Sequence, residues 1–150
     1  MSKKVLFFLF ITLFFANFSY SEGLGSGEVI TRFNDGVKAQ RAGNLRDAFT
    51  AYQTAILLAP EDNTYRKFIL NNTGVLYARR GDLETAKNMF REALSLDSNY
   101  TKANLNLALI YYRSGDRATA SEYFMRAYNL NIDSIGPSVF IMEGEAGSGN

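Results

Sequence analysis

The residue types that most often perform catalysis are missing from this 150-residue chain. It has no histidine, the commonest general base near neutral pH. It also has no cysteine, which excludes thiol nucleophiles, thiolate metal sites and disulfides. The acidic residues Glu61, Asp62, Glu143 and Glu145 fall in predicted loops or near the chain end, where they favour solubility. The sequence therefore predicts a protein that is not an enzyme and needs no cofactor and no metal.

A turn that recurs three times along the sequence predicts where the helices begin and end. Each of three segments has a central glycine followed by a residue that can cap a helix. These pairs are Gly43-Asn44, Gly81-Asp82 and Gly115-Asp116, with spacings of 38 and 34 residues between the glycines. Glycine adopts a positive φ at low cost where a helix must stop, and Asn or Asp caps the next helix. The unit is therefore predicted to be helix, tight turn, helix.

The second helix of each unit carries a small–aromatic–small pattern at positions i, i+4 and i+7, which places the three side chains on one face. The sets are Ala48, Tyr52, Ala55; Ala86, Phe90, Ala93; and Ala120, Phe124, Ala127. We interpret the alanines as points of close helix approach and the rings as core that fills the space between helices. The spacing predicts helices over 29–42, 44–58, 64–80, 82–96, 101–114 and 116–130.

This pattern resembles the tetratricopeptide-repeat (TPR) family, whose unit has 34 residues with small and aromatic positions in this order. The resemblance implies an all-α fold, a right-handed α-α superhelix of three TPR helix-turn-helix repeats. The TPR domain would cover residues 29–134, with repeats at about 29–62, 67–100 and 101–134. Four extra residues within 61–66 are expected to lengthen the start of the third helix.

The resemblance also implies a binding groove, because TPR arrays bind partners along the first helix of each repeat. The family's groove positions fall on fifteen residues of this chain, including Ile30, Gln40 and Ala78. The predicted partner contacts are the other twelve: Phe33, Val37, Arg41, Phe68, Asn71, Val75, Arg79, Lys102, Leu105, Leu109, Tyr112 and Arg113. The groove would take a protein or peptide segment. Its centre is apolar, and one column consists of Arg41, Arg79 and Arg113. That column either binds carboxylates of a partner or is a solvated charged edge.

A shared asparagine position and a known TPR subtype give two further expectations. Asn34, Asn72 and Asn106 recur at one place in the three repeats, which favours a structural hydrogen bond between helices. The carboxylate clamp of some TPR domains would need Lys, Asn and Arg at five groove positions, of which Asn72 and Lys102 alone agree. A reader of C-terminal carboxylates of that kind is therefore not expected.

Residues 1–21 are typical of a secretory signal peptide, with Lys3 and Lys4 ahead of an 11-residue apolar run from Val5 to Phe15. Cleavage is expected before Glu22, and residues 22–28 are predicted to be a flexible linker. An uncleaved anchor is the alternative, although the run is short for a bilayer. The expected location is the periplasm or outside the cell, or the inner membrane if the leader is retained. Without the leader the formal charge falls from +1 to −1, which argues against nucleic acid as a partner.

The tail, residues 135–150, has no good capping helix, because Gly136 and Pro137 interrupt any helix. Either the apolar residues 139–142 fold back over the last repeat, or another subunit or a partner covers it. Two function classes therefore stay open. The first is an exported adaptor or scaffold, possibly an envelope assembly factor. The second is a structural component that forms a homo-oligomer through the last repeat, and a membrane-tethered scaffold would follow from an uncleaved leader.

Overall fold

The computed structural model describes residues 27–129, and in this part of the chain all regular structure is helical. The predicted all-α fold class is confirmed. Residues 27–41 form α1, two residues ahead of the predicted start. The following helices are α2 Leu45–Leu58, α3 Arg66–Arg79, α4 Leu83–Leu96, α5 Thr101–Arg113 and α6 Arg117–Asn129. The predicted leader, residues 22–26 of the predicted linker, the last five residues of the predicted TPR domain and the tail lie outside the described residues.

The chain divides into two compact units at the junction between Tyr65 and Arg66. The helices α1 and α2 belong to the first unit, and α3 to α6 belong to the second. In the second unit α3 packs on α4 and α5 packs on α6, while α5 also contacts α4 and α3.

The turns inside the helix pairs have the predicted chemistry. Gly43, Gly81 and Gly115 have φ values of 78°, 86° and 84°. Residues with a Cβ rarely adopt this left-handed backbone conformation. The side chains of Asp82 and Asp116 accept hydrogen bonds from the backbone N–H groups of Thr85 and Thr119, both at 3.1 Å. Asn44 accepts a longer bond of 3.4 Å from the N–H of Asp47. Each turn therefore ends one helix and caps the next.

The first two aromatic positions are core residues, as predicted. Tyr52 and Phe90 are fully buried, and their flanking alanines are buried with them. Each ring lies against a glycine of the preceding helix. A Cβ on Gly36 would clash with the ring of Tyr52, and a Cβ on Gly74 would lie 2.6 Å from Cε1 of Phe90. Tyr52 also donates a 2.9 Å hydrogen bond from its hydroxyl to Gln40.

The third aromatic position departs from the prediction. Phe124 is 44% exposed, although Ala120 and Ala127 beside it are buried. The residue that corresponds to Gly36 and Gly74 in the third repeat is Ala108. The third repeat thus has a residue with a Cβ where the first two have glycine, and the ring of Phe124 lines an apolar pocket between α5 and α6.

The extra residues between the first and second repeats form turns and do not lengthen the third helix. Helix α3 begins at Arg66, two residues after its predicted start. The N–H of Asn63 bonds to the carbonyl of Pro60 at 3.0 Å, and the N–H of Tyr65 bonds to the side chain of Asn63 at 2.8 Å. The local hydrogen bonds of Asn63 thus stabilise a turn in place of an earlier start of α3.

Candidate partner-binding surface

In the first unit the predicted groove residues lie on α1. Phe33 is half-buried, with ring centroids of Tyr52 and Tyr65 at 6.0 Å and 5.7 Å. Val37 is half-buried, and Arg41 is exposed at the last residue of the helix. The ring of Phe33 therefore contributes to packing within the unit as well as to the α1 surface.

On α3 the predicted groove residues differ in accessibility. Asn71 and Val75 are fully buried. Phe68 is half-buried and meets the ring of Tyr100 edge to face, with centroids 5.4 Å apart and planes at 79°. Arg79 is exposed at the end of the helix. Asn71 and Val75 therefore pack in the interior beneath the candidate surface. Phe68 near the start of α3 and Arg79 at its end are the accessible predicted residues of this helix.

A buried hydrogen bond joins α3 to α5. The Nδ2 of Asn106 donates to Oδ1 of Asn71 over 2.9 Å, and Nδ2 of Asn71 donates to Oδ1 of Asn72 over 3.3 Å. The bond between helices predicted for Asn106 is therefore confirmed, while Asn34 is exposed on α1. Asn71, predicted to contact a partner, serves this bond.

On α5 the predicted residues become more exposed toward the C-terminal end. Leu105 is buried and forms an apolar cluster with Ala127 of α6 and Leu109. Lys102 and Leu109 are half-buried. Tyr112 is 56% exposed, and the neighbouring Arg113 is also exposed. The accessible part of the predicted site is therefore richest at the end of α5 that meets α6.

An apolar pocket of about 430 Å³ lies at that end, between α5 and α6. Helix α5 contributes two predicted groove residues, Leu109 and Tyr112. Seven residues line the pocket: Ala108, Leu109, Tyr112, Arg117, Ala120, Ser121 and Phe124. Its volume is in the usual range for ligand sites, which are lined mainly by apolar side chains. The arrangement can bind an apolar side chain of a partner by excluding water from it.

The four pocket residues on α6 were not among the predicted site residues. The groove mapping considered the first helix of each repeat, whereas this pocket also needs the face of a second helix. A signal was present in the sequence, because the third repeat has Ala108 where the first two have Gly36 and Gly74. The third repeat therefore lacks the glycine against which Tyr52 and Phe90 pack in the first two repeats.

The pocket has a basic edge. The guanidinium of Arg117 lies over the ring of Tyr112, with 5.6 Å from Cζ to the ring centroid. Such a cation–π contact holds the charge beside the apolar surface. Arg113 is on the same turn of α5 as Tyr112. A partner segment with a carboxylate next to an apolar side chain would match both parts of this surface.

The second unit is also basic as a whole. Residues 66–129 contain ten Lys and Arg residues against six Asp and Glu residues, whereas residues 27–65 contain four against five. A positive surface of this kind attracts acidic segments and speeds their association.

A second cluster at the start of α3 has a structural role. Lys67 Nζ lies 2.5 Å from Oδ2 of Asp97 and 5.1 Å from the ring centroid of Phe68. The hydrogen bond from Lys67 lowers the pKa of Asp97, mainly by stabilising its carboxylate, against an opposing effect of burial. Burial raises the pKa of the Tyr100 hydroxyl, which therefore stays protonated. These groups fix the connection between α4 and α5.

Within residues 27–129 there is no group of acidic side chains arranged to hold a metal ion. No helix of the described part has both the length and the apolar character needed to span a bilayer.

Comparison with protein families finds tetratricopeptide repeats in this chain. One TPR repeat model matches residues 74–115 and a second tetratricopeptide repeat model matches residues 101–131. These matches cover the turn at Gly81, the turn at Gly115 and both walls of the pocket. The chain therefore carries TPR repeats in its second unit, and the first unit repeats the same glycine turn, cap and buried ring.

The relatives include photosystem I assembly proteins called Ycf3. The protein of Synechococcus elongatus is 35% identical over 85 residues, which make up 57% of this chain and 49% of that protein. The protein of Rippkaea orientalis is 33% identical over 83 residues, or 55% of this chain and 47% of that protein. The chain thus matches about half the length of these relatives.

A solved structure with the same fold is that of MamA. It has a TM-score of 0.60 and 22% sequence identity, and the match covers 70% of this chain and 59% of MamA. At this identity the likeness concerns the fold, and it agrees with the arrangement of paired helices described above.

Proposed function

We propose that this chain, which carries TPR repeats, is a protein-interaction scaffold that binds a segment of a partner protein at the C-terminal end of α5. The observation that carries the proposal is the apolar pocket between α5 and α6, with Arg117 held at its edge by Tyr112. An apolar side chain of the partner would enter the pocket. A neighbouring carboxylate would pair with Arg117 or Arg113, and the rest of the segment would extend toward Phe68 and Arg79.

The biological setting that we propose is the assembly of a larger complex. The Ycf3 relatives are photosystem I assembly proteins, and they share sequence with this chain over about half of their own length. This likeness supports a role in holding a subunit during assembly, without indicating which subunit this chain would hold.

The proposed location is outside the cytoplasm, in the periplasm or beyond it. Support comes from the sequence of residues 1–21, where two lysines precede an uncharged apolar run and small residues. Expression with a C-terminal tag, followed by determination of the N-terminal residue, tests this part. A mature chain beginning at Glu22 supports export. A retained Met1 with membrane fractionation would instead favour a tethered scaffold.

The binding role is tested by co-purification from the native cell after crosslinking. The variant Ser121→Trp places a large ring in the pocket from an exposed position on α6. We expect it to reduce recovery of the true partner about tenfold, the effect of losing roughly 1.4 kcal/mol of binding free energy. The matched control is Ser95→Trp, because Ser95 is exposed on α4 and does not line the pocket.

The predicted row of arginines is tested separately. Charge reversal at Arg41, Arg79 and Arg113 should weaken binding of an acidic segment and reduce the dependence of binding on salt. Unchanged recovery with these three variants, together with loss by Ser121→Trp, would restrict the site to the pocket. Equal recovery by Ser121→Trp and Ser95→Trp would exclude the pocket as the binding site.

Self-association is a second candidate function, and one observation favours it. Helix α6 exposes two large apolar or aromatic side chains besides Phe124, namely Met125 at 50% and Tyr128 at 58%. Such a surface is typical of contacts between protein chains. Light scattering over a concentration series tests this function. A mass that stays monomeric at the highest concentration argues against it.

A further inference from the structure

The pocket between α5 and α6 has a chemical counterpart in this same chain. Its lining is apolar except for Arg117 and the hydroxyl groups of Ser121 and Tyr112. Residues 139–143, which lie outside the described residues, have the sequence Val-Phe-Ile-Met-Glu. Four apolar side chains are thus followed at once by a carboxylate, which matches an apolar pocket with a guanidinium at its edge.

We propose that residues 139–143 bind in this pocket of their own chain, with the Phe140 ring against Phe124 and the Glu143 carboxylate beside Arg117. The segment then occupies the surface to which the partner is proposed to bind, so that it competes with the partner. The competition rests on the proposed function, whereas the docking of residues 139–143 does not.

Charge complementarity supports this occupant. Residues 130–150 contain three acidic residues, Asp133, Glu143 and Glu145, and no Lys or Arg. The unit on which they would dock has an excess of four basic residues between positions 66 and 129. The attraction favours docking on this unit, and it is strongest at low salt.

The length of the connecting chain also supports this occupant. Helix α6 ends at Asn129, and nine residues lie between it and Val139. Nine residues span up to about 30 Å when extended. Along α6, Phe124 is about 8 Å and Arg117 about 18 Å back from Asn129. Gly136 and Pro137 disfavour continuation of the helix and permit a reversal of the chain.

Tethering favours the segment over an equivalent segment of another molecule. A connection of a few residues between two binding groups gives an effective concentration of about the millimolar range, so that weak docking within one chain is well populated. A second copy would reach that concentration at the pocket only in concentrated solution. For this reason we assign the pocket to residues 139–143 of the same chain.

The absence of cysteine from the sequence allows a direct test in the full-length protein. The double variant Ser121→Cys/Ser138→Cys places one thiol at the pocket and the other immediately before the docking segment. The control pair is Ser95→Cys/Ser138→Cys, with Ser95 exposed on α4. Under mild oxidation at low protein concentration we expect the pocket pair to form a disulfide within one chain about tenfold faster than the control pair.

Added changes show whether the docking uses the proposed contacts. Phe140→Asp in the pocket pair should reduce the rate of disulfide formation to that of the control pair. Arg117→Glu should reduce it in part. Equal rates for the pocket and control pairs, or a rate insensitive to Phe140→Asp, would overturn the proposal. Disulfide-linked dimers in place of linked monomers would assign the pocket to a second copy and would likewise overturn it.

If a double cysteine variant fails to fold, methyl NMR of single variants without cysteine tests the docking instead. In the otherwise unchanged protein, Phe140→Asp should shift the methyl NMR signals of Leu109 and Ala120, whereas Ser148→Asp at the chain end should not. Unshifted signals in Phe140→Asp would contradict docking. Loss of partner binding by Ser121→Trp would still stand in that case, so that the two proposals fail separately.

Discussion

Phe90 of α4 and Phe124 of α6 hold equivalent positions in two successive repeats, yet one is fully buried and the other is 44% exposed. Phe90 lies against Gly74, where no Cβ limits its approach, and α5 packs on α4. Phe124 faces a helix that has Ala108 at the corresponding place, and its ring lines the pocket. The comparison shows that equivalent positions of two repeats differ in exposure, since one ring is enclosed in the core and the other lines an accessible pocket.

The largest expected effect comes from removing the two rings. Phe90→Ala should lower the free energy of unfolding by about 3–5 kcal/mol, because it removes a fully buried ring and leaves a cavity. Phe124→Ala should cost about 1–2 kcal/mol, since a large part of its surface is already in water. Urea unfolding followed by helical circular dichroism measures both. Equal losses would show that the two rings are equivalent in solution.

The next effect concerns the residue beneath each ring. Gly74→Ala should destabilise the protein by about 1–3 kcal/mol, because its Cβ would overlap the ring of Phe90. Ala108→Gly should cost at most about 1 kcal/mol, the helix-propensity difference. The same urea titration applies. Combining Gly74→Ala with Phe90→Leu should recover part of the loss, and a strictly additive double variant would contradict a direct clash.

Substitutions in the turns of the second and third repeats should lower the free energy of unfolding by similar amounts. The two repeats would then differ in the burial of their rings and not in their turns. Gly81→Ala and Gly115→Ala should each cost about 1–2 kcal/mol, the cost of a left-handed backbone for a residue with a Cβ. A Cβ at either place meets nothing within 4 Å, so that no side-chain clash adds to this cost. Thermal unfolding of the two variants should give similar melting temperatures. Unequal losses would indicate strain specific to one turn.

The smallest effect is a pH dependence. The pKa of Asp97 is lowered from 3.8, chiefly by the hydrogen bond from Lys67, so that the ion pair stabilises the fold above pH 3.8. This stability is lost as the pH falls through the lowered pKa. Asp97→Asn should therefore be less stable than the parent at pH 5, and the gap should close in acid.

The control for this pH effect lies in the other repeat. Hydrogen bonds from Thr119 lower the pKa of Asp116, which is fully exposed, and asparagine also caps helices well. Asp116→Asn should consequently change the unfolding midpoint less than Asp97→Asn at pH 5. A constant gap between the parent and Asp97→Asn from pH 5 to pH 2 would exclude the Lys67 ion pair as the cause.

Local features of the fold could be predicted from the sequence because they depend on neighbouring residues. The positive φ of Gly81 and the cap at Asp82 require nothing beyond the chemistry of a few adjacent positions. The face shared by Ala86, Phe90 and Ala93 follows from helical periodicity alone. These predictions are confirmed, and the helix ends agree to within two residues.

The residues of the candidate surface could be predicted only in part, because the surface depends on how α5 and α6 pack together. Leu109 and Tyr112 were predicted and line the pocket, whereas Phe124 was assigned to the core. Asn71 was placed in the groove from its position in the repeat, although its amide is used in the bond to Asn106.

The buried amide pair of Asn71 and Asn106 determines how α3 and α5 can move against each other. Sliding α5 by one helical turn would separate the two buried amides, and each buried polar group left unsatisfied costs about 1–3 kcal/mol. The two helices thus have a single stable register. Residues 66–129 should therefore resist lengthwise shear between α3 and α5 more strongly than apolar contacts alone would allow.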